Sequence, residues 1–164
     1  MEIHERIAAL SQAQQSALLH FIQILEMQNN YATESVPEHI CLVSVQAFTH
    51  NTGDGKVATV HCTAKLKYGE HEEVAVGTGV GSVDGIFHAI DTAVQRWKIL
   101  GGTLELNDFY AQSCAPGSDA YGRVWVKLKN NGATVMCQNT GTNINFAAAK
   151  AIVQGINKLI SGTV

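Results

Sequence analysis

Three glycines at alternate positions, Gly77, Gly79 and Gly81, run straight into an amphipathic stretch in VAVGTGVGSVDGIFHAIDTAVQRW, Val74 to Trp97. Glycine lacks the Cβ that keeps other atoms off the backbone, so a cluster of them lets a ligand or another segment approach the main chain closely. The first turn of a helix has N–H groups without intrahelical partners and carries the positive end of the helix dipole. Together these favour a carboxylate or another anion. The same glycines would equally serve a tight strand-to-helix turn, and residue types alone leave both readings open. Two phosphate-binding patterns are excluded. G-x-G-x-x-G read from Gly77 needs glycine at position 82, where Ser82 stands, and no G-x-x-x-x-G-K-[ST] loop is present.

Other chemistries find less support. The seven histidines (His4, His20, His39, His50, His61, His71 and His88) form no H-E-x-x-H and no i, i+4 ligand set with carboxylates, so no metal site is expected. Cys41, Cys62, Cys114 and Cys137 are scattered without a C-x-x-C pair. Three of them lie in apolar, strand-like runs, and all four read as reduced, buried thiols. No G-x-S-x-G elbow occurs. Asp108 and Asp119 could be paired carboxylates, yet they read equally well as strand-edge and turn aspartates. Neither a catalytic residue nor a cofactor is expected, which leaves the glycine corner as the site-like feature.

The elements that position this corner follow from periodicity. At 164 residues and 46% hydrophobic content the chain is long enough for one domain with a sizeable core. A formal charge of −3 argues against nucleic acid as a partner. No apolar run is long enough to span a membrane, and MEIHERIAAL lacks a signal-peptide pattern, so a cytoplasmic location is expected. Ser11 with Gln14 makes a capping box for a helix over Ser11 to Glu26, with Leu18, Phe21, Ile22 and Leu25 on one face. NNYATESVPE then reads as linker. Strands follow from Ile40, through VATVHCTAKLKY, whose Ala58, Val60, Cys62, Ala64, Leu66 and Tyr68 alternate with polar residues, to EEVAVGTG. NTGDGK reads as the hairpin between the first two. A helix with Ser82 as N-cap and Asp84 in its first turn ends at Gly101 and Gly102. Strand, turn, strand, turn, strand and helix then recur, with the helix starts at Ser82 and Thr142 spaced 60 residues apart. The expectation is an α+β fold of two tandem β-β-β-α repeats, about 40–100 and 103–160, with helices on one face of antiparallel sheets. Residues 1–36 supply an N-terminal helix and linker, and residues 37–164 form the two-repeat domain.

The order of GVGSVDGIFHAI, LNDFYAQSCAPGSDAYGRVWVKL and a last helix ending in GINKL resembles the C-terminal regulatory domain of the 2-isopropylmalate synthases and the related citramalate synthases. The resemblance covers about Ile40 to Ile160. It implies a non-catalytic domain that binds leucine or isoleucine at a homodimer interface and reports to a catalytic barrel, in feedback control of leucine biosynthesis. Carried over by motif position, it implies that the backbone of Gly79, Val80, Gly81, Ser82 and Val83 holds the charged end of the amino acid. Phe109, Ser113, Ala120 and Gly122 would line the side-chain pocket, the last three being small enough to leave room for a branched aliphatic group. The chain departs from the motif at Ser82, where proline is usual, and at Gly85, where alanine is usual. In the second repeat, Cys137 and Asn139 stand for the expected glycines. A (β/α)8 barrel of about 250 residues would not fit beside the two repeats, so the catalytic partner is expected elsewhere, in cis or in trans. A dimerisation scaffold of the same fold without a ligand is the alternative.

Overall fold

The computed structural model describes residues 3–19, 22, 36–49, 59–114, 117 and 120–162. The chain divides into two compact units, Met1–Ser35 and Val36–Val164.

In the first unit a short helix α1 (Ile3–Ala8) precedes helical residues 12–19, here α2. The capping box at the start of α2 is reciprocal: Ser11 N donates to Gln14 Oε1 at 2.9 Å, and Gln14 N donates to Ser11 Oγ at 3.3 Å. Helix α1 is an addition to the expected single helix. Its six residues are too few for apolar periodicity to register. Phe21, Leu25 and most of the expected linker lie outside the described residues.

The second unit is the α+β fold of two β-β-β-α repeats. The first comprises β1 (Ile40–Thr49), β2 (Val60–Tyr68), β3 (His71–Gly79) and α3 (Ser82–Trp97). The second comprises β4 (Leu104–Ser113), β5 (Gly122–Asn130), β6 (Ala133–Gly141) and α4 (Ile144–Ser161). Each repeat makes its own antiparallel three-stranded sheet, in the orders β1-β2-β3 and β4-β5-β6. Both first strands shift register at one place, between Leu42 and Ser44 and between Leu106 and Asp108. This shared irregularity marks the repeat more sharply than the sequence does. The NTGDGK hairpin lies outside the described residues. The second repeat's short turn is described: Asn131 (φ 49°) and Gly132 (φ 85°) both take the left-handed conformation that a two-residue hairpin loop requires.

The alternation in β2 is as expected. Val60, Cys62, Ala64 and Leu66 are buried against Ile86, Ile90 and Val94 of α3. Helix α4 rests on β5 and β6 and also on β1 and α3, so the two repeats share one core. Three helix ends differ from expectation. Gly81, rather than Ser82, is the N-cap of α3, because Ser82 already has helical geometry. Asn143 caps α4 in place of Thr142, its side chain accepting from Phe146 N at 3.1 Å. Lys98 closes α3 in the left-handed conformation (φ 54°), three residues ahead of the expected glycine stop. The helix starts at Ser82 and Ile144 are therefore 62 residues apart rather than 60. On that spacing Asn139, Gly141 and Asn143 are the counterparts of Gly77, Gly79 and Gly81, and Cys137 instead matches Ala75.

The close approach of α3 to its sheet explains most of the glycine cluster. A Cβ on Gly77 would overlap Ala89 N and Gly85 O, and one on Gly79 would overlap Gly85 N. Gly85 in turn leaves space for Cys62 Sγ, which would lie 2.8 Å from a Cβ there. Gly77→Ala is accordingly expected to lower stability by about 2 kcal/mol through overpacking. A denaturant midpoint unchanged from wild type would contradict this account of α3 packing.

Candidate functional site

The residues singled out by sequence fall at two strand-to-helix corners. At the first, β3 ends at Gly79 opposite Val60, and α3 starts after Gly81. Gly81 is extended (φ −150°), with nothing within 4 Å of an added Cβ, so neither conformation nor packing demands glycine there. No side chain caps the first turn of α3. Val80 is 74% exposed, and Ser82 and Val83 are half-buried. The space and the uncapped helix start that a ligand would need are therefore found at Gly81, while Gly79 is filled by the helix itself.

Two polar side chains at this corner have no site role in the sequence reading, which places Asp84 only as a first-turn charge and His88 only among the solvated histidines. Asp84 Oδ2 accepts from Val80 N at 3.0 Å, taking one amide that an incoming anion would have used. His88 Nδ1 donates to Thr78 O at 2.7 Å, which turns Nε2 to 3.8 Å from Asp84 Oδ1. The i, i+4 spacing of Asp84 and His88 is visible in the sequence, against the expectation that no histidine stands in such a pairing with a carboxylate. A carboxylate beside an uncapped helix start offers a cation acceptor and amide donors side by side. Such a corner suits a zwitterion better than a bare anion.

The second corner gathers the rest. Ser113 pairs with Gly122, and Gly122 with Gly141. Cys114 N donates to Tyr121 O at 2.7 Å, closing the loop that contains half-buried Ala120. Gly122 is buried because Ile144, at the start of α4, lies where its Cβ would be. Phe109 and Ser113 share a sheet face with Val126 and Gly122, their cross-strand partners. That face is the helix side of the sheet, yet Phe109 remains 36% exposed and Ser113 exposed, because α4 lies over β5, β6 and β1 rather than β4. Within one chain, then, Gly79 to Val83 form one group and Phe109, Ser113, Ala120 and Gly122 another. The main partners of α3 are its own sheet and α4, not β4 or β5.

The cysteines separate into two kinds. Cys62 and Cys137 are buried, and desolvation pushes the Cys137 thiol up to about 11. Burial also raises Cys62, with the nearby Asp84 charge adding to it. Cys41 is half-buried and Cys114 exposed, so the expectation of four buried thiols fails for these two, which sit near the ends of edge strands. All four are free of disulfides. Among the described residues no cluster of three or more histidine, cysteine, aspartate or glutamate side chains could hold a metal. No helix among them is long and apolar enough to cross a membrane.

Residues 22–160 match the LeuA allosteric (dimerisation) domain. The chain belongs to that family. It is 37% identical over 139 residues to a 2-isopropylmalate synthase of Carboxydothermus hydrogenoformans, covering 84% of this chain and 25% of the relative. It is 32% identical over 125 residues to a probable 2-isopropylmalate synthase of Methanopyrus kandleri, covering 76% and 24% respectively. A putative (R)-citramalate synthase of Methanosarcina acetivorans shares 31% identity over 119 residues, 73% of this chain and 24% of the relative. The chain thus spans about a quarter of the length of these curated relatives. Both corners lie inside the LeuA-type match, as does the exposed Phe109–Ser113 end of β4.

A thiol reagent applied to the folded LeuA-type domain at pH 8 is expected to label Cys114 first. Cys62 and Cys137 should react only after unfolding, because the thiolate is the reactive form and burial disfavours it. Native-state labelling of Cys137, read by peptide mass spectrometry, would contradict the core assigned here.

Proposed function

We propose that this domain binds a branched-chain amino acid, leucine first, at a homodimer interface, in feedback control of 2-isopropylmalate synthase-type activity. The observation that carries the reading is the first corner: an uncapped α3 start at Gly81, open where a side chain would stand, with a carboxylate beside it. In this reading the backbone of Val80, Gly81, Ser82 and Val83 faces the amino acid's charged end, while Gly79, packed against Gly85, shapes the corner. The first-turn N–H groups receive its carboxylate and Asp84 its ammonium. Phe109, Ser113 and Ala120 line the aliphatic pocket, and Gly122, filled by Ile144, packs α4 against that end of β5.

A second copy would account for the separation of these two groups. Helix α4 packs along β1 within the chain, whereas the helix-side face of β4 is exposed at its Phe109 and Ser113 end. Seating α3 of a partner on β4 would repeat the α4-on-β1 relation and bring a first corner against Phe109 and Ser113. Binding would then favour one interface arrangement over another, and that difference in affinity is what a catalytic domain, in cis or in trans, would register. The domain itself takes no catalytic part, and a cytoplasmic location fits a biosynthetic role. The second reading, a dimerisation scaffold without a ligand, draws support from Gly77 and Gly79, which helix packing accounts for without any ligand.

Thermal unfolding with each amino acid in turn tests this. An effector at 100 times its Kd is expected to add about 2.7 kcal/mol, a shift of several degrees. Gly81→Val should still fold, since the position is open and extended, with a small loss of stability of about 1 kcal/mol from the poorer N-cap, and should lose the shift. A dimer whose melting temperature ignores every amino acid would favour the scaffold. A Gly81→Val variant that still responds would displace the site from this corner.

A further inference from the structure

Asn157 and Asn130 are the buried polar side chains among the described residues, and Asn157 is only 4% exposed. It lies on α4, in the second repeat, but its partners are in the first. Asn157 Oδ1 accepts from His39 N at 3.1 Å and from Ile40 N at 2.8 Å, and Nδ2 donates to Ile40 O at 2.9 Å. One helical turn further on, His39 Nε2 lies 3.0 Å from Ser161 Oγ. A buried amide is tolerated only when its groups are paired, and here the pairing is with backbone at the very start of β1. Asn130 does a comparable job locally. Its Nδ2 donates to Gly101 O and Thr103 O, in the short segment that leads into β4. The cross-repeat version belongs to Asn157 alone of these two.

The other end of α4 meets the other end of β1. Asn143, Asn145 and Phe146 face Val45 to Phe48 across an open groove of about 510 Å³. Helix and strand therefore run side by side, spanning the roughly 20 Å that separates residues 144 and 157 at 1.5 Å per residue. We propose that Asn157 is a mechanical joint: residues 36–40, where the second unit begins, open and close as one body with the last turns of α4. The second repeat would thereby govern the point at which preceding chain joins the first repeat. This holds whether or not an amino acid binds, so it stands or falls apart from the functional reading.

Native-state hydrogen exchange of the whole chain across sub-denaturing urea tests the joint. In wild type, the amides of His39 and Ile40 are expected to merge into one opening isotherm with those of Gly155 to Leu159. Asn157→Leu, close in shape but without hydrogen-bonding groups, should speed exchange at His39 and Ile40 by roughly tenfold or more. The α4 amides should hold to within about twofold, so that the isotherms separate. Separate isotherms already in wild type would overturn the proposal. So would an Asn157→Leu variant in which both sets stay merged, whether slowed or equally destabilised, because Asn157 would then be a general stabiliser. Should that variant fail to fold, Asn157→Ala removes the same hydrogen bonds with less bulk, and the wild-type isotherms decide the first arm by themselves.

Discussion

Helix α4 is buried nearly all round. Ala147, Ala148, Ala149, Ala151, Ile152, Val153, Gly155, Ile156 and Asn157 are all buried, which a helix with one apolar stripe on one sheet could not achieve. It needs β5 and β6 on one side and β1 and α3 on the other. Each three-stranded sheet has an apolar face that must be covered by a helix to be stable. Sharing α4 makes one core out of two half-cores. The small residues are the means: Gly155 sits against Leu128, where a Cβ would come within 2.7 Å of Cδ1, and the alanines let the helix lie close to the strands.

Much of this was legible in advance for a physical reason. Period-two alternation in β2 is a local pattern, and a half-buried antiparallel strand imposes it directly. The repeat was visible because strand, turn and helix signals recur in the same order. What failed was of shorter range. The N-caps moved by one residue because Ser82 and Thr142 have suitable side chains, whereas cap position is fixed by backbone geometry at Gly81 and Asn143. That slip shifted the repeat alignment and assigned Cys137 to a glycine's place. The helix α1 has no periodic signature to read. Asn157 was invisible for a different reason: its partners are 117 and 118 residues away, and nothing local announces them.

The candidate site was legible only in part. The glycine cluster was rightly seen as a place of close approach, but packing and access are different demands on it. Gly77, Gly79 and Gly85 are required by helix against strand, while Gly81 faces open space. Asp84 joins the two demands, since one carboxylate oxygen holds Val80 N and the other faces His88. The two corners are also unequal. The α4 start is closed by its own Asn143 side chain, and the α3 start has no such closure. The two repeats thus place similar corners alike in the fold and close only one of them with a side chain.

The contact between His39 and Ser161 places the beginning and the end of the second unit side by side. Such proximity is common in compact domains and makes the order of segments along the chain largely arbitrary. A short bridge between residues 36 and 162, with new termini opened at the surface turn of Asn131 and Gly132, would give a circular permutant with the same strand pairings and the same shared helix. Sequence order and spatial order are thus separable here, and a domain of this form can be spliced into another chain at one point as readily as hung from its end.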